Sequence, residues 1–370
     1  MKPIRVLHIL TKLSFGGVQS VVLNYYRNID RNRIQFDFVV QGYEKQKFEN
    51  EVIELGGNIF KLPEMHIERT KFEGELSKLL KEYKEYEIIH AHQNFLNIIP
   101  LQVAKRCGVK VRISHSHNNY KASSFSKELM RKAFRLLIPF YATDYFACST
   151  MSANWLYGYK NARSDKCRLI HNAIDLDKFS YKADVRNRIR TELNVENKFV
   201  ILHVGMFDNR KNHIFLIKIF YEFQKNNPDA ILLLIGDGEL MAEIIELVKS
   251  LQINDKVIFL GRKDNVNEFL MASDYFILPS KNEGLGIVLV EAQACGLQCL
   301  VSEAVPQEVN ITGLVKWYKL ENSSQEWARQ IDKLAKRSNT RDQLIEGQYD
   351  IKTEAKKLAD IYENLVSCHE

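Results

Sequence analysis

The chain has 370 residues, more than one ordinary core organises, and the usual ~100–200 residues per domain favours two domains. Apolar residues make up 45% and charged ones 26%, with only 7 prolines, which excludes a disordered chain and reads as soluble and globular. The net charge of +6 comes without dense basic tracts, which argues against a nucleic-acid partner but suits a phosphorylated ligand or an anionic membrane surface.

The chain opens with MKPIRVLHILTKL, whose apolar run is too short and too soon interrupted for a signal peptide or a membrane span. No other stretch reaches ~18 uncharged apolar residues, so no bilayer crossing is expected. Apolar runs at Arg5–Leu10, Phe36–Gln41, Glu87–Ala91, Val109–His115 and Tyr145–Cys148 read as buried strands. Helix-length segments such as Val18–Ile29 and Glu75–Tyr83 separate them, which predicts a parallel, doubly wound α/β sheet. The pattern restarts with strands at Phe199–Val204, Ala230–Ile235, Lys256–Leu260, Tyr275–Leu278 and Gln298–Val301. Two Rossmann-like domains follow: residues 1–175, a polar linker at 176–190, and residues 191–350. A helical pattern over 351–370 is expected to pack back on the first domain. The six cysteines (Cys107, Cys148, Cys167, Cys295, Cys299, Cys368) form no C-x-x-C pair and are expected as reduced thiols of a cytoplasmic protein.

In open α/β sheets ligands bind beyond the carboxyl ends of the strands, so two such domains facing each other are expected to bind across a cleft. NEGLGIVLVEAQACG, residues 282–296, lies just after the predicted strand Tyr275–Leu278. Gly284 and Gly286 let the backbone approach a ligand, and a helix starting at Ile287 presents free N–H groups suited to a diphosphate. Glu283 precedes that helix, and Glu291 lies roughly 6 Å further on by the helical rise. Two carboxylates flanking an anion site are placed to accept hydrogen bonds from hydroxyl groups on either side, the layout of a sugar–diphosphate–ribose compound.

This segment resembles the E-x7-E motif of retaining glycosyltransferases of the GT-B fold, family four, and the resemblance runs the length of the chain. Its other landmarks are the pair Gly16-Gly17, NAID at 172–175, HVGMFDNRKNH at 203–213, IGDGEL at 235–240 and FLGRKDNVNEFLMASDYFILPS at 259–280. The resemblance implies a nucleotide-diphosphate sugar donor, with a UDP-sugar favoured, bound by Gly16, Gly17, Arg210, Lys211, Arg262, Glu283, Gly284, Leu285, Gly286, Ile287 and Glu291. Glu291 would hold the ribose hydroxyls and Glu283 the sugar hydroxyls. Backbone N–H groups of Leu285, Gly286 and Ile287 would meet sugar and phosphate, Lys211 the phosphates, and the segment around Arg262 would frame the base. One residue departs from the pattern: family members usually carry arginine after the glycine of this strand, and here Gly205 is followed by Met206. Arg210, beside Lys211, is the candidate to supply the charge.

The first domain carries two H-x-H pairs, His90/His92 and His115/His117. Residues i and i+2 of a strand face one side, so each pair can point the same way. The resemblance places one histidine, His115 or His117, near the donor sugar, and His90 and His92 read as strand-end residues satisfied locally. Four such histidines also suggest a metal-dependent hydrolase, the sharpest competitor. A catalytically silent nucleotide-sugar-binding protein is the other, motivated by Met206. Asp175 and Asp177 form a D-x-D in the expected linker and read as structural, so neither a metal nor a cofactor is expected. A nicotinamide enzyme is disfavoured because no G-x-G-x-x-G follows the first strand.

Lys127, Arg131, Lys132 and Arg135 recur at helical spacing among Phe125, Leu129, Phe134 and Leu137, as in a helix lying on an anionic membrane surface. The RISHSHNN and EGLGIVLVEAQACG wording resembles capsular and exopolysaccharide glycosyltransferases of bacteria, whose acceptors are lipid-linked oligosaccharides. The expectation is a cytoplasmic enzyme, peripheral on the membrane's inner face, adding one sugar with retention and without a metal.

Overall fold

The computed structural model describes residues 2–14, 16–117, 125–334 and 336–369, with the side chains of 125–127, 130 and 131 left aside. In chain order the first elements are β1 (Ile4–Ile9), α1 (Gly17–Asn28), β2 (Ile34–Gln41), α2 (Glu49–Glu54), β3 (Ile59–Leu62), α3 (Arg69–Glu82) and β4 (Tyr86–Ala91). They continue with α4 (Ile98–Arg106), β5 (Val111–Ser116), α5 (Phe125–Tyr141), β6 (Asp144–Ala147), α6 (Thr150–Ala162) and β7 (Cys167–Leu169). Next come α7 (Leu176–Phe179), α8 (Ala183–Glu192), β8 (Phe199–Val204), α9 (His213–Lys225), β9 (Ala230–Ile235), α10 (Met241–Ser250) and β10 (Val257–Gly261). The last are α11 (Val266–Ala272), β11 (Tyr275–Leu278), α12 (Ile287–Ala294), β12 (Gln298–Ser302), β13 (Val315–Tyr318), α13 (Ser324–Arg329), α14 (Arg341–Glu346) and α15 (Ile351–His369).

Two compact units result, one of Met1–Ala173 with Asp350–Glu370, the other of Ile174–Tyr349. Each holds a sheet of parallel strands, in the order β3-β2-β1-β4-β5-β6-β7 and β10-β9-β8-β11-β12-β13. Strands covered by helices on both faces must be apolar throughout, and Val6, Leu7, Ile9, Ile88, Ile89, Leu232, Leu233, Ile277 and Leu278 are all buried. In the first unit Leu7, Ile9, Val39, Ile89, Ala91 and Ala147 pack against residues of α3, α4 and α6. The opposite face is aromatic: Phe36 and Phe146 lie within 6.4 Å of the ring of Tyr362 on α15. Arg33 anchors that helix through Asp360 and Glu363 at 2.6 Å each.

Residues 176–190 are not the linker their polar composition suggests. Asp175 caps α7 by accepting from the backbone N–H groups of Asp177 and Lys178, and Asp177 pairs with Arg341 at 2.8 Å. From α8, Arg186 and Arg190 pair with Asp274 at 2.5 and 3.2 Å and donate to carbonyls at the end of α11. The charged residues that look like linker are thus ion-paired and hydrogen-bonded inside the second unit. The edge strands β3, β7 and β13 also go beyond the expected elements; they are three or four residues long and too brief to carry a period.

The loop after β9 touches the loop after β8 backbone to backbone. Gly236 has φ 144°, and a Cβ there would overlap the Gly205 carbonyl oxygen; at Gly238 it would lie 2.6 Å from the Phe207 carbonyl oxygen. Gly236→Ala is expected to cost about 2 kcal/mol or more, read as a lower urea midpoint with unchanged slope.

Candidate functional site

A parallel sheet opens a crevice where its strand order reverses, because successive crossovers leave to opposite sides. In the second unit that reversal lies between β8 and β11, which are hydrogen-bonded neighbours. The loops following them carry the DNRKNH and NEGLG segments. They are joined directly: the Lys281 N–H donates to the Arg210 carbonyl at 2.7 Å and the Asn212 amide donates to the Pro279 carbonyl at 3.1 Å. Gly286 then adopts φ 78°, which only glycine takes without strain, and serves as the N-cap of α12 with no side chain capping the helix.

The site residues meet here. Lys211 Nζ donates to Glu283 Oε1 at 2.6 Å and Ser280 Oγ donates to the same oxygen at 2.7 Å, with Glu283 only 7% exposed. Glu291, on the first turns of α12, has no such partner charge in contact among the described residues, and desolvation pushes its carboxyl up to about 7 against the opposing field of Lys178. The backbone of Leu285, Gly286 and Ile287 forms the turn into the helix, with the Leu285 side chain buried beneath it. Gly284 completes that loop.

The cations around the site are already committed. Arg210 pairs with Asp208 at 2.5 Å, and Asp208 also accepts from the backbone N–H groups of Arg210 and Lys211, fixing the turn. Arg262 lies 3.4 Å from Asp237, both about half exposed. Met206, at the position where the family pattern has arginine, is 49% exposed. Asp208 and Ser280 join the site beyond the residues the sequence points to. Asp208, two residues before Arg210, carries the signature of an Asx turn, whereas the hydroxyl of Ser280 gives no sequence signal of its partner.

The other predicted site residues belong to the first unit. Gly16 and Gly17 follow β1 and begin α1, Gly16 as its extended N-cap. The strand order of this sheet also reverses, between β1 and β4, and the histidines gather there. His90 and His92 do not stand alone as strand-end residues satisfied by backbone; they join His115, His117 and an unforeseen fifth, His8, in one buried layer. Nitrogen–nitrogen hydrogen bonds link His8 to His92 at 2.9 Å, His92 to His117 at 2.8 Å and His90 to His115 at 3.0 Å, and His90 also meets the Tyr362 hydroxyl at 2.7 Å. Burial holds all five neutral, pushing His8 and His117 down to about 3 and the other three well below their ordinary value.

A family model described as Glycosyltransferase Family 4 matches residues 15–178, and one described as Glycosyl transferases group 1 matches residues 185–350. The chain is 31% identical over 368 residues to a Bacillus subtilis glycosyltransferase named EpsF, covering 97% of this chain and 96% of that one. Over 245 residues it is 29% identical to the Escherichia coli UDP-Gal:alpha-D-GlcNAc-diphosphoundecaprenol alpha-1,3-galactosyltransferase, covering 61% of this chain and 60% of that one. Among solved structures, Anabaena HepE in complex with UDP matches with a TM-score of 0.71 at 19% identity, covering 99% of this chain and 100% of that chain. With both halves matched and one relative aligned over nearly its whole length, the chain belongs to the family-four, group 1 glycosyltransferases, and its two Rossmann-like units are of the GT-B class.

Proposed function

We propose that the protein transfers a sugar from a nucleotide-diphosphate sugar, a UDP-sugar by preference, to a lipid-linked saccharide in the synthesis of a bacterial surface polysaccharide. It does so in the cytoplasm, with retention of configuration and with no metal at the diphosphate. The observation that carries this reading is the pairing of Lys211 with Glu283 beside the uncapped amino terminus of α12, at the strand-order reversal of the second sheet. UDP in the HepE structure and the UDP-sugar and undecaprenol-linked acceptor in the E. coli relative's name support the donor and acceptor classes. Family membership displaces the hydrolase reading.

The chemistry divides among few groups. An ammonium has three N–H donors and Glu283 takes one of Lys211's, leaving the others to a phosphate oxygen. Lys211, Arg210 and the α12 dipole then stabilise the negative charge that grows on the departing phosphate, which accepts the acceptor's proton during front-face attack. Glu283 accepts from hydroxyls of the sugar and Glu291 from those of the ribose, while Gly284 and the Leu285–Ile287 backbone let the diphosphate approach. Gly16 and Gly17 complete the donor contacts and Arg262 borders the base. A double displacement needs a carboxylate free to act as nucleophile about 5 Å from its acid partner, and Glu283 is instead engaged by Lys211 and Ser280. Of the two candidate histidines, His117 keeps more surface, 6% against 2% for His115, and takes the contact with a sugar hydroxyl.

Among the described residues no helix is long and apolar enough to cross a membrane. α5 supplies a surface instead: Leu129, Leu136 and Phe140, at intervals of seven and four along it, are 60%, 73% and 66% exposed, with Lys132 exposed nearby and Arg135 partly so. Lys127 and Arg131, the other two cations expected to contact lipid, have side chains outside the described residues. An amphipathic helix of this kind rests in the headgroup layer, where a lipid-linked acceptor is presented.

Calorimetric titration with UDP, GDP, ADP and their sugar conjugates is expected to show binding of the uridine compounds, lost in Glu291→Ala; a folded protein that binds none of them sinks the donor assignment, and binding without turnover on any acceptor is the silent alternative suggested by Met206. Because Glu291 must be ionised to accept from ribose and its carboxyl ionises near 7, UDP-glucose affinity is expected to rise about tenfold from pH 6 to pH 8 and to be nearly flat in Glu291→Gln. Lys211→Met is expected to lower kcat about 100-fold or more, and the product's anomeric NMR signal to match the donor's; an inverted product sinks the proposed mechanism. Sedimentation with anionic vesicles is expected at low salt, weakened at high salt and lost when Leu129, Leu136 and Phe140 are all changed to serine, and absence of binding at low salt removes the membrane part alone.

A further inference from the structure

We infer that His92, His115 and His117 form a binding site for a first-row transition-metal ion that takes neutral nitrogen ligands, of the zinc(II) class. The three lie on adjacent strand ends at the reversal of the first sheet, each with a ring nitrogen within 4.8 Å of the others. Among the described residues, His115 Nε2 has no hydrogen-bond partner although it is buried. His92 Nδ1 and His117 Nε2 are 2.8 Å apart and share a single proton.

Moving that one proton to His117 Nδ1, so that the ring stays neutral, and seating a metal ion in its place gives three nitrogens a common partner: His92 Nδ1, His117 Nε2 and His115 Nε2. Every other bond of the layer survives the exchange. His92 Nε2–H donates to His8 Nδ1 at 2.9 Å, His115 Nδ1–H donates to His90 Nε2 at 3.0 Å, and His90 Nδ1–H donates to the Tyr362 oxygen at 2.7 Å. These are the outer partners that fix the tautomer and orientation of ligating imidazoles. The backbone is pinned as well: Asn94 Oδ1 accepts from the His117 N–H at 3.0 Å and the Asn97 amide donates to the His115 carbonyl at 3.2 Å.

A tetrahedral ion bound at ~2.0–2.1 Å sets its ligand nitrogens about 3.4 Å apart, between the 2.8 Å of the hydrogen-bonded pair and the 4.8 Å limit of the group, so small ring rotations suffice. With imidazole the only ligand type, magnesium and calcium, which require oxygen, are excluded. Three protein ligands leave the fourth position to a solvent-derived oxygen, as in open zinc sites. The ion would fix the His117 ring and has no part at the diphosphate, so this inference stands independently of the donor assignment.

The test uses the untagged 370-residue chain, stripped with chelator and titrated with Co²⁺ and then Zn²⁺. About one equivalent of Co²⁺ is expected to bind with the visible d–d bands of a tetrahedral centre and to be displaced by Zn²⁺. His115→Gln and His117→Gln are expected to weaken binding about 100-fold or more, and His8→Asn, which removes an outer partner, about tenfold. Wild-type protein that is folded by circular dichroism yet shows no Co²⁺ bands and retains no zinc overturns the assignment. Binding that survives His115→Gln and His117→Gln but is lost in His8→Asn also overturns it, because the ion would then sit on His8, His90 and His92.

Discussion

The constraint on which the rest depends is that each sheet is parallel and reverses its strand order beside its first strand. Parallel strands cannot be joined by tight hairpins, so the connections cross a face of the sheet, most of them as helices, and all carboxyl ends share one edge. Where β1 has β2 on one side and β4 on the other, and where β8 has β9 and β11, the outgoing loops part. The chain fills these two places with its least ordinary residues: a buried layer of histidines in the first unit, and paired Lys211 and Glu283 beside an uncapped helix in the second.

Within the second unit the two glutamates have the same chemistry and opposite circumstances. Glu283 is buried but has an ammonium and a hydroxyl on one oxygen, so its charge is compensated where it stands. Glu291 is partly buried on α12, where the more distant Lys178 favours ionisation but desolvation dominates. Near neutrality such a group is easily tipped to its charged form by a ligand that donates hydrogen bonds to it. The backbone of the Gly236 loop lies directly against that of the Gly205 loop, with no side chain between them.

The central strands were legible because a strand buried on both faces must be written as a short continuous apolar run, and most such runs proved to be strands. What escaped was long-range. β3, β7 and β13 are edges held by one neighbour each, too brief to leave a period in the sequence. Residues 176–190 read as linker because their arginines look solvated; their partner Asp274 lies more than 80 positions further along the chain. The same limit explains His8. A lone histidine inside an apolar run carries no pattern, and its bond to His92 spans 84 positions. NEGLGIVLVEAQACG was readable because turn, glycine, helix start and both carboxylates are consecutive, whereas the Lys211 contact, 72 positions away, came only with the fold.

The histidine layer is hard to account for as packing. His8 is stacked or tilted against Phe36 and Phe38 at 4.1 and 5.6 Å, and His90 lies edge-on to Phe146 at 5.2 Å, so aromatic or aliphatic residues in these places would fill the same space. Imidazoles instead carry ten ring nitrogens into a region that penalises charge and unmade hydrogen bonds alike. The bonds among them recover part of that cost, yet His8 Nε2 and His115 Nε2 remain without partners among the described residues. A purely structural layer has no reason to leave buried nitrogens open at the carboxyl edge of a doubly wound sheet. Nitrogens held neutral, aligned by outer hydrogen bonds and left available are instead what a ligand that accepts lone pairs requires.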